Sequence, residues 1–293
     1  MTRSDAGGLN GPGGPGGPRV PSARLVRAHA RAQGLVLLRS PAQLVFVLLA
    51  PAVALLAIVA PIDALAGDPT QSAQAFAQMS VFGGLAVSVF GLGINAAEER
   101  ASPWSTYVRT LPASGWIMTA GRLVVTLIAV AGCLLPLTLA ALATTALPDA
   151  LGHVSGAATS GPAGALAGLA SMLGAWLVAI VGCVPFLGLA LIVGYSFSPS
   201  TTVAMTQLLV VPLAFAGGLV LPPGVFPPWL EALSWALPTR AVREGVLAAL
   251  GQGFDGPAWA GAWVPVLVWS AWAVAALVGA ARAYARDEGR RFR

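Results

Sequence analysis

The residues able to do chemistry in this chain are few, and they gather in two places. The first is a polar island from Glu98 to Arg122, set between two long apolar segments. Glu98, Glu99, Arg100 and Arg109 supply its charge. Trp104, Tyr107, Val108 and Leu111 follow the i, i+3, i+4, i+7 spacing that places them on one face of a short helix. Ser102 suits the N-cap and Pro103 the first turn. Pro112 disfavours helical geometry at Leu111, so the helix ends near there. Such a helix makes and breaks no bonds. Its chemistry is docking, either on a lipid surface or against a protein. The second place is the segment 222–258, where Pro238 divides two short helical stretches, Trp229–Leu237 and Arg240–Leu250. Arg240 and Glu244 stand four residues apart and can pair. These two stretches either rest on a membrane surface or dip into it, the latter tolerated where protein covers the backbone.

The missing residue types are equally informative. All 16 basic residues are arginine. Without lysine there is no G-x-x-x-x-G-K-[ST] phosphate loop. His29 and His153, the two histidines, flank apolar segments, and no Cys/His cluster has metal-ligand spacing. Cys133 and Cys183 lie far apart inside apolar segments and read as small packing residues. No chain of ionisable groups runs through the apolar segments, as an ion or proton pathway would require. Thr126, Gln207 and Asn95 are the neutral polar groups there, and they read as links between helices. The expectation is a chain that is not an enzyme and binds no cofactor or metal itself; the lack of buried charges counts against a third reading, an ion-coupled carrier.

The elements that position these residues follow from composition. Of 293 residues, 57% are hydrophobic and 9% are charged, and the mean hydropathy is +0.79. A soluble domain carries about 25% charged residues, so the bilayer must be the main solvent. A span needs roughly 20 apolar residues. Six segments qualify: 42–60, 76–97, 119–147, 164–194, 201–221 and 259–281. Pro51, Pro136, Pro185, Pro212 and Pro265 fall inside them and are expected to kink the helices. The fold class is thus all-α membrane protein. A Gly/Pro-rich tail at 1–21 precedes an interfacial helix at 22–41. A six-span domain follows at 42–284, with a basic tail at 285–293. The tail at 1–21 reads as disordered, because its composition cannot repay the entropy of ordering.

Arginine placement orients the spans. Fourteen arginines fall before the first span, in the second connection or in the C-terminal tail, which share one side if there are six spans. Only Arg240 and Arg243 fall on the other, with Asp63, Asp68, Asp149, Glu231, Glu244 and Asp255. Both termini are therefore expected to be cytoplasmic, and the basic pI reflects anionic lipid rather than nucleic acid. In the helix at 22–39, Arg24, Arg27, Arg31 and Arg39 share a face, while His29 and Gln33 intrude on the apolar side. Ser80, Gly84 and Ser88 form a small-residue ladder, as do Gly164 and Gly168, suited to close packing within the chain or across a dimer.

This layout resembles the permease subunit of an ABC-2 type exporter of bacterial multidrug or antibiotic type. The family shows an acidic-Arg-acidic start after the second span, then a short helix. A proline follows about thirteen residues on, and a Gly-basic pair opens the third span. Here Glu99-Arg100 matches the start, Pro112 the proline, Ser114 and Trp116 the residues after it, and Gly121-Arg122 the pair. Ala101 replaces the second acid, Pro103-Trp104 the usual Gly-Thr, and Leu111 the usual Thr. Gly217-Gly218-Leu219 through Pro227-Pro228-Trp229-Leu230, then Leu237-Pro238 and Glu244, is similar to the family's segment between the fifth and sixth spans.

The resemblance implies that 102–111 is a coupling helix seated on a separate ABC ATP-binding subunit. Trp104, Tyr107, Val108 and Leu111 would make the apolar contact, with Glu98, Glu99, Arg100 and Arg109 around it. ATP and Mg would be bound by that partner. Two permease copies and two ATPases would form the working unit in the bacterial plasma membrane. Re-entrant helices bearing Pro228, Trp229, Leu233, Arg240 and Glu244 would close the outer side. Substrate would pass the second and fifth spans near Phe82, Phe90, Gln207 and Phe215, apolar faces suited to a lipophilic or amphipathic drug-like cargo. Other readings are a non-transporting membrane scaffold, and export of a polysaccharide or lipid-linked cargo.

Overall fold

A computed structural model describes residues 22–39, 41–103, 115–154, 162–253 and 261–291. The described residues are overwhelmingly helical, with no strand among them. The expected tail at 1–21 and most of the expected coupling helix lie outside them.

Thirteen α-helices are described. Helix α1 (Ser22–Leu38) leads into α2 (Pro41–Ala54), which continues through a π-helical turn, Leu55–Val59. A short α3 (Asp63–Ala66) precedes α4 (Pro69–Ala86). Asp68 caps α4 by accepting from the Gln71 N–H at 2.9 Å, and Pro69 takes the first turn, where a missing N–H costs nothing. A second π-helical stretch, Val87–Gly93, joins α4 to α5 (Ile94–Ala101). Then come α6 (Gly115–Thr144), α7 (Leu147–Val154), α8 (Pro162–Gly182) and α9 (Val184–Ser196). Helix α10 (Pro199–Ala216) is capped by Ser198, and α11 (Pro228–Ser234), α12 (Pro238–Ala249) and α13 (Trp263–Arg291) complete the order.

Five of these helical stretches are long and apolar enough to cross a membrane: Pro69–Ala101, Thr119–Thr144, Ala163–Ser196, Pro199–Ala216 and Trp263–Asp287. The region expected as the first span is helical from Pro41 to Val59, and Leu48–Val59 is a shorter apolar helix within it. The stretch Pro69–Ala101 is the central element, with 72% of its apolar window buried, against 28% for Pro199–Ala216 and Trp263–Asp287.

Between helices that are all apolar, close approach rather than water exclusion holds the bundle. Small residues supply it. A Cβ at Gly83 would lie 2.7 Å from both Cys133 Sγ and Pro51 Cγ, and one at Gly84 would strike Cys183. The two thiols are therefore packing groups on either side of a glycine pair. The Ser80–Gly84–Ser88 ladder is spent inside the chain: both serines are buried and their hydroxyls donate to the carbonyls of Phe76 and Gly84 at 2.7 Å. Helices α9 and α13 touch at Gly188, where a Cβ would meet Ala276 Cβ at 2.6 Å, and at Gly279, against Ile192. Phe76 and Phe186 are the largest side chains fully enclosed by this packing.

The prolines do different things from one another. Pro51, Pro136 and Pro212 sit inside continuous helices. Pro185 instead opens α9 after a break at Cys183, so the expected fourth span is two helices in line.

Candidate functional site

Two polar clusters lie at the ends of the bundle. The first is built around Glu99 and Arg100, on the last turn of α5. Glu99 accepts from Gln33 Nε2 of α1 at 2.7 Å and is ion-paired with the Arg122 guanidinium near the start of α6. Arg122 Nη1 also donates to the Tyr195 hydroxyl at 2.8 Å, and the Tyr195 ring stands edge-on to Tyr284 at 5.3 Å. Arg100 donates to the carbonyls of Tyr195 and, at 2.9 Å, Phe197, and approaches Asp287 of α13 at 3.4 Å. The Tyr195 carbonyl belongs to the last turn of α9, where the helix leaves acceptors without partners of its own, and Phe197 is the extended residue that ends it. A guanidinium there also meets the negative end of the helix dipole. One short acidic-basic pair thus holds the ends of α1, α5, α6, α9 and α13 together.

The cluster explains the irregular face of α1. Arg24, Arg27 and Arg31 are exposed, while His29 and Gln33, which break the apolar pattern, form the docked side. Helix α1 approaches α6 so closely that a Cβ at Gly121 would lie 2.8 Å from His29 Cδ2 and 3.1 Å from the Ala30 nitrogen. His29 is held below its ordinary pKa, first by burial and then by Arg122, against a smaller opposing pull from Glu99.

At Ser102 the backbone leaves the helix, with φ −72° and ψ 140°, and its N–H bonds back to Glu98 at 3.0 Å. Such an extended residue is the geometry of an N-cap. Glu98 is exposed beside it. Glu99 and Arg100 face the bundle. Trp104, Tyr107, Val108, Arg109 and Leu111 lie outside the described residues.

The second cluster is at the other end. Arg243 Nη1 donates to one oxygen of Glu244 at 2.6 Å, Arg240 Nε is ion-paired with the same oxygen at 2.9 Å, and all three side chains are 3–4% exposed. The Arg240 guanidinium stacks over Trp235 at 4.7 Å, an attraction that strengthens where water is excluded. Helix α12, which carries the triad, packs against α4, α8 and α13. Thr239 anchors its start to the Leu213 carbonyl at 2.9 Å, and Gln78 of α4 donates to the Gly218 carbonyl at 3.1 Å. Gly218 has φ +74°, a conformation in which a side chain would be strained. Helix α11 is the opposite case: Pro228 is exposed, and Trp229 and Leu233 are 68% and 49% exposed. The two stretches thus divide, α12 inserted among helices and α11 at the surface.

Of the expected path residues, Phe82 is half-buried against Leu219 and Val220 in a cleft, and Phe90 is half-buried on the core. Gln207 and Phe215 lie on the exposed side of α10. Sequence reasoning missed Gln33, Tyr195 and Gln78, whose contacts are distant in sequence, Trp235, which meets Arg240 across the start of α12, and the part of Arg243 in the triad, a contact between adjacent residues. No group of three or more potential metal ligands occurs among the described residues. No family model and no curated protein matches the chain.

Proposed function

We propose that the chain is the membrane-spanning permease subunit of an ABC-2 type exporter, working as a pair with two separate ATP-binding subunits. The region 42–60 completes six spans, and both termini are cytoplasmic in the bacterial plasma membrane. The observation that carries this reading is the Glu99–Arg100 cluster. It sits at the root of the segment whose sequence reads as a docking helix, and it ties that root to four other elements. A push on 102–111 would therefore reach α1, α6, α9 and α13 together rather than bend one loop. The small, buried contacts along the second span support a bundle that moves as packed bodies. ATP and Mg act only in the partner. The buried helix α12 and the surface helix α11 would close the outer side over a lipophilic or amphipathic cargo.

The test is co-purification of the permease with the ATP-binding protein encoded beside it, comparing wild type with Trp104→Ala plus Tyr107→Ala. Wild type should hold the ATPase and stimulate its turnover, and the double variant should lose both while retaining its thermal stability. A wild type that recruits no ATPase sinks the exporter reading and leaves a membrane scaffold.

A further inference from the structure

The outer end of the bundle holds a cleft with two chambers. The larger, about 540 Å³, is polar; the buried Arg240, Arg243 and Glu244 line it together with Glu231 and Gln252. The smaller, about 280 Å³, is lined mainly by apolar side chains, among them Ile58, Val59, Leu65, Met79 and Phe82. Gln71, Gln74 and Pro222 belong to the walls of both, so the two chambers are neighbours that meet at these residues. The larger chamber falls within the usual range for a small-molecule site, roughly 300–1,000 Å³.

The charges on the polar wall are arranged rather than scattered. Arg240 and Arg243 converge on a single oxygen of Glu244. The Trp235 ring lies beneath one guanidinium, at 4.7 Å. Glu231, half-buried, lines the same chamber from α11 and enters no salt bridge among the described residues. An anionic group is best placed against the two guanidiniums, whose planar forks match phosphate and carboxylate geometry. A cationic group is best placed toward Glu231. An apolar chain attached to either would pass Gln74 into the second chamber.

We propose that this cleft binds a zwitterionic amphiphile. Its phosphate or carboxylate lies against Arg240 and Arg243, its ammonium toward Glu231, and its chain among Met79 and Phe82. The site lies within one chain, apart from the exposed Gln207 and Phe215 faces. Binding there needs no ATPase, so its failure would leave the exporter reading standing, and the reverse holds too.

The experiment is equilibrium binding of chain-labelled lysophosphatidylcholine to the purified chain in dodecyl maltoside, with lysophosphatidic acid and inorganic phosphate as competitors. Lysophosphatidylcholine should bind, lysophosphatidic acid should compete less well, and phosphate alone should not displace the label. Gln74→Trp, at the neck, should weaken binding at least about tenfold, the scale of a lost well-made contact, with the melting temperature unchanged. Glu231→Gln should shift preference toward lysophosphatidic acid. Arg243→Gln should weaken both lysolipids. Should that variant not fold, the half-buried Gln74 and Glu231 positions carry the test. Unaltered binding in Gln74→Trp, or an unaltered headgroup ratio in Glu231→Gln, overturns the proposal.

Discussion

At the scale of single residues, His29 has the clearest consequence. Its imidazole faces Arg122 from α6 and Glu99 from α5, and its Nε2 is buried without a hydrogen bond among the described residues. The docked state therefore favours the neutral ring. A free α1 would take up its proton near the ordinary histidine value of about 6.5. The docked α1 takes it up only at lower pH, so protonation favours undocking. Docking is undiminished above about pH 7 and weakens as pH falls through the ordinary histidine value. Hydrogen exchange along α1, corrected for intrinsic rate, should accelerate between about pH 7.5 and 5.5, and His29→Gln should flatten that dependence. Exchange that ignores pH in the wild type would contradict this account. The sequence showed His29 and Gln33 only as faults in an apolar face, because their partners lie far along the chain. The Arg240–Glu244 pair was legible, since four residues is one helical turn. The second guanidinium was not, since adjacent helical residues do not face each other and Arg243 reaches Glu244 only in the packed structure.

At the scale of elements, the prolines and glycines divide what could be read from what could not. Apolar length gave the long helices, and the Pro228 and Pro238 starts of α11 and α12 follow from proline's place in a first turn. Pro185 was expected to kink a span and instead begins a helix, because Cys183 ends the preceding one; proline is compatible with either outcome. The π-helical turns at 55–59 and 87–93 have no residue signature, since they depend on how the neighbouring helices pack. Glycine contacts lead to a direct comparison. Gly188 lies against Ala276, with the nearest atoms of a built Cβ at 2.6 and 2.7 Å, one of them backbone. Gly188→Val must push α9 from α13 and should cost at least about 1–3 kcal/mol, as overpacking does. Gly91→Ala meets nothing within 4 Å and should leave stability near wild type. Thermal unfolding in detergent decides between them, and equal melting temperatures would mean that the α9–α13 contact does not hold the bundle.

At the scale of the whole molecule, the arginine count and the packing bear on the same question from different directions. The count places the start of the chain, the second connection and the C-terminal helix on one side. Independently, Gln33, Glu99, Arg122, Tyr195 and Asp287 are linked in one cluster, while the Arg240–Arg243–Glu244 triad is joined to residues at the start of α4 through the polar chamber. A chain that crosses between each of these stations places them alternately at its two ends, which is the pattern that six spans would give. The sequence could supply the alternation but not the meeting of the stations, since apolar helices of similar length pack in many orders. Orientation then becomes measurable, because Cys133 and Cys183 are buried and give a silent background for thiol labelling. Trp229→Cys lies at an exposed position of α11, and Arg282→Cys at an exposed position of α13 beyond most of its apolar stretch. A membrane-impermeant maleimide should label Trp229→Cys on intact cells and Arg282→Cys only after permeabilisation. Labelling of both from outside would require an even number of crossings between them and remove the last span from the layout. Labelling of Arg282→Cys alone would invert the chain and place the Glu99–Arg100 cluster where no ATPase could reach it.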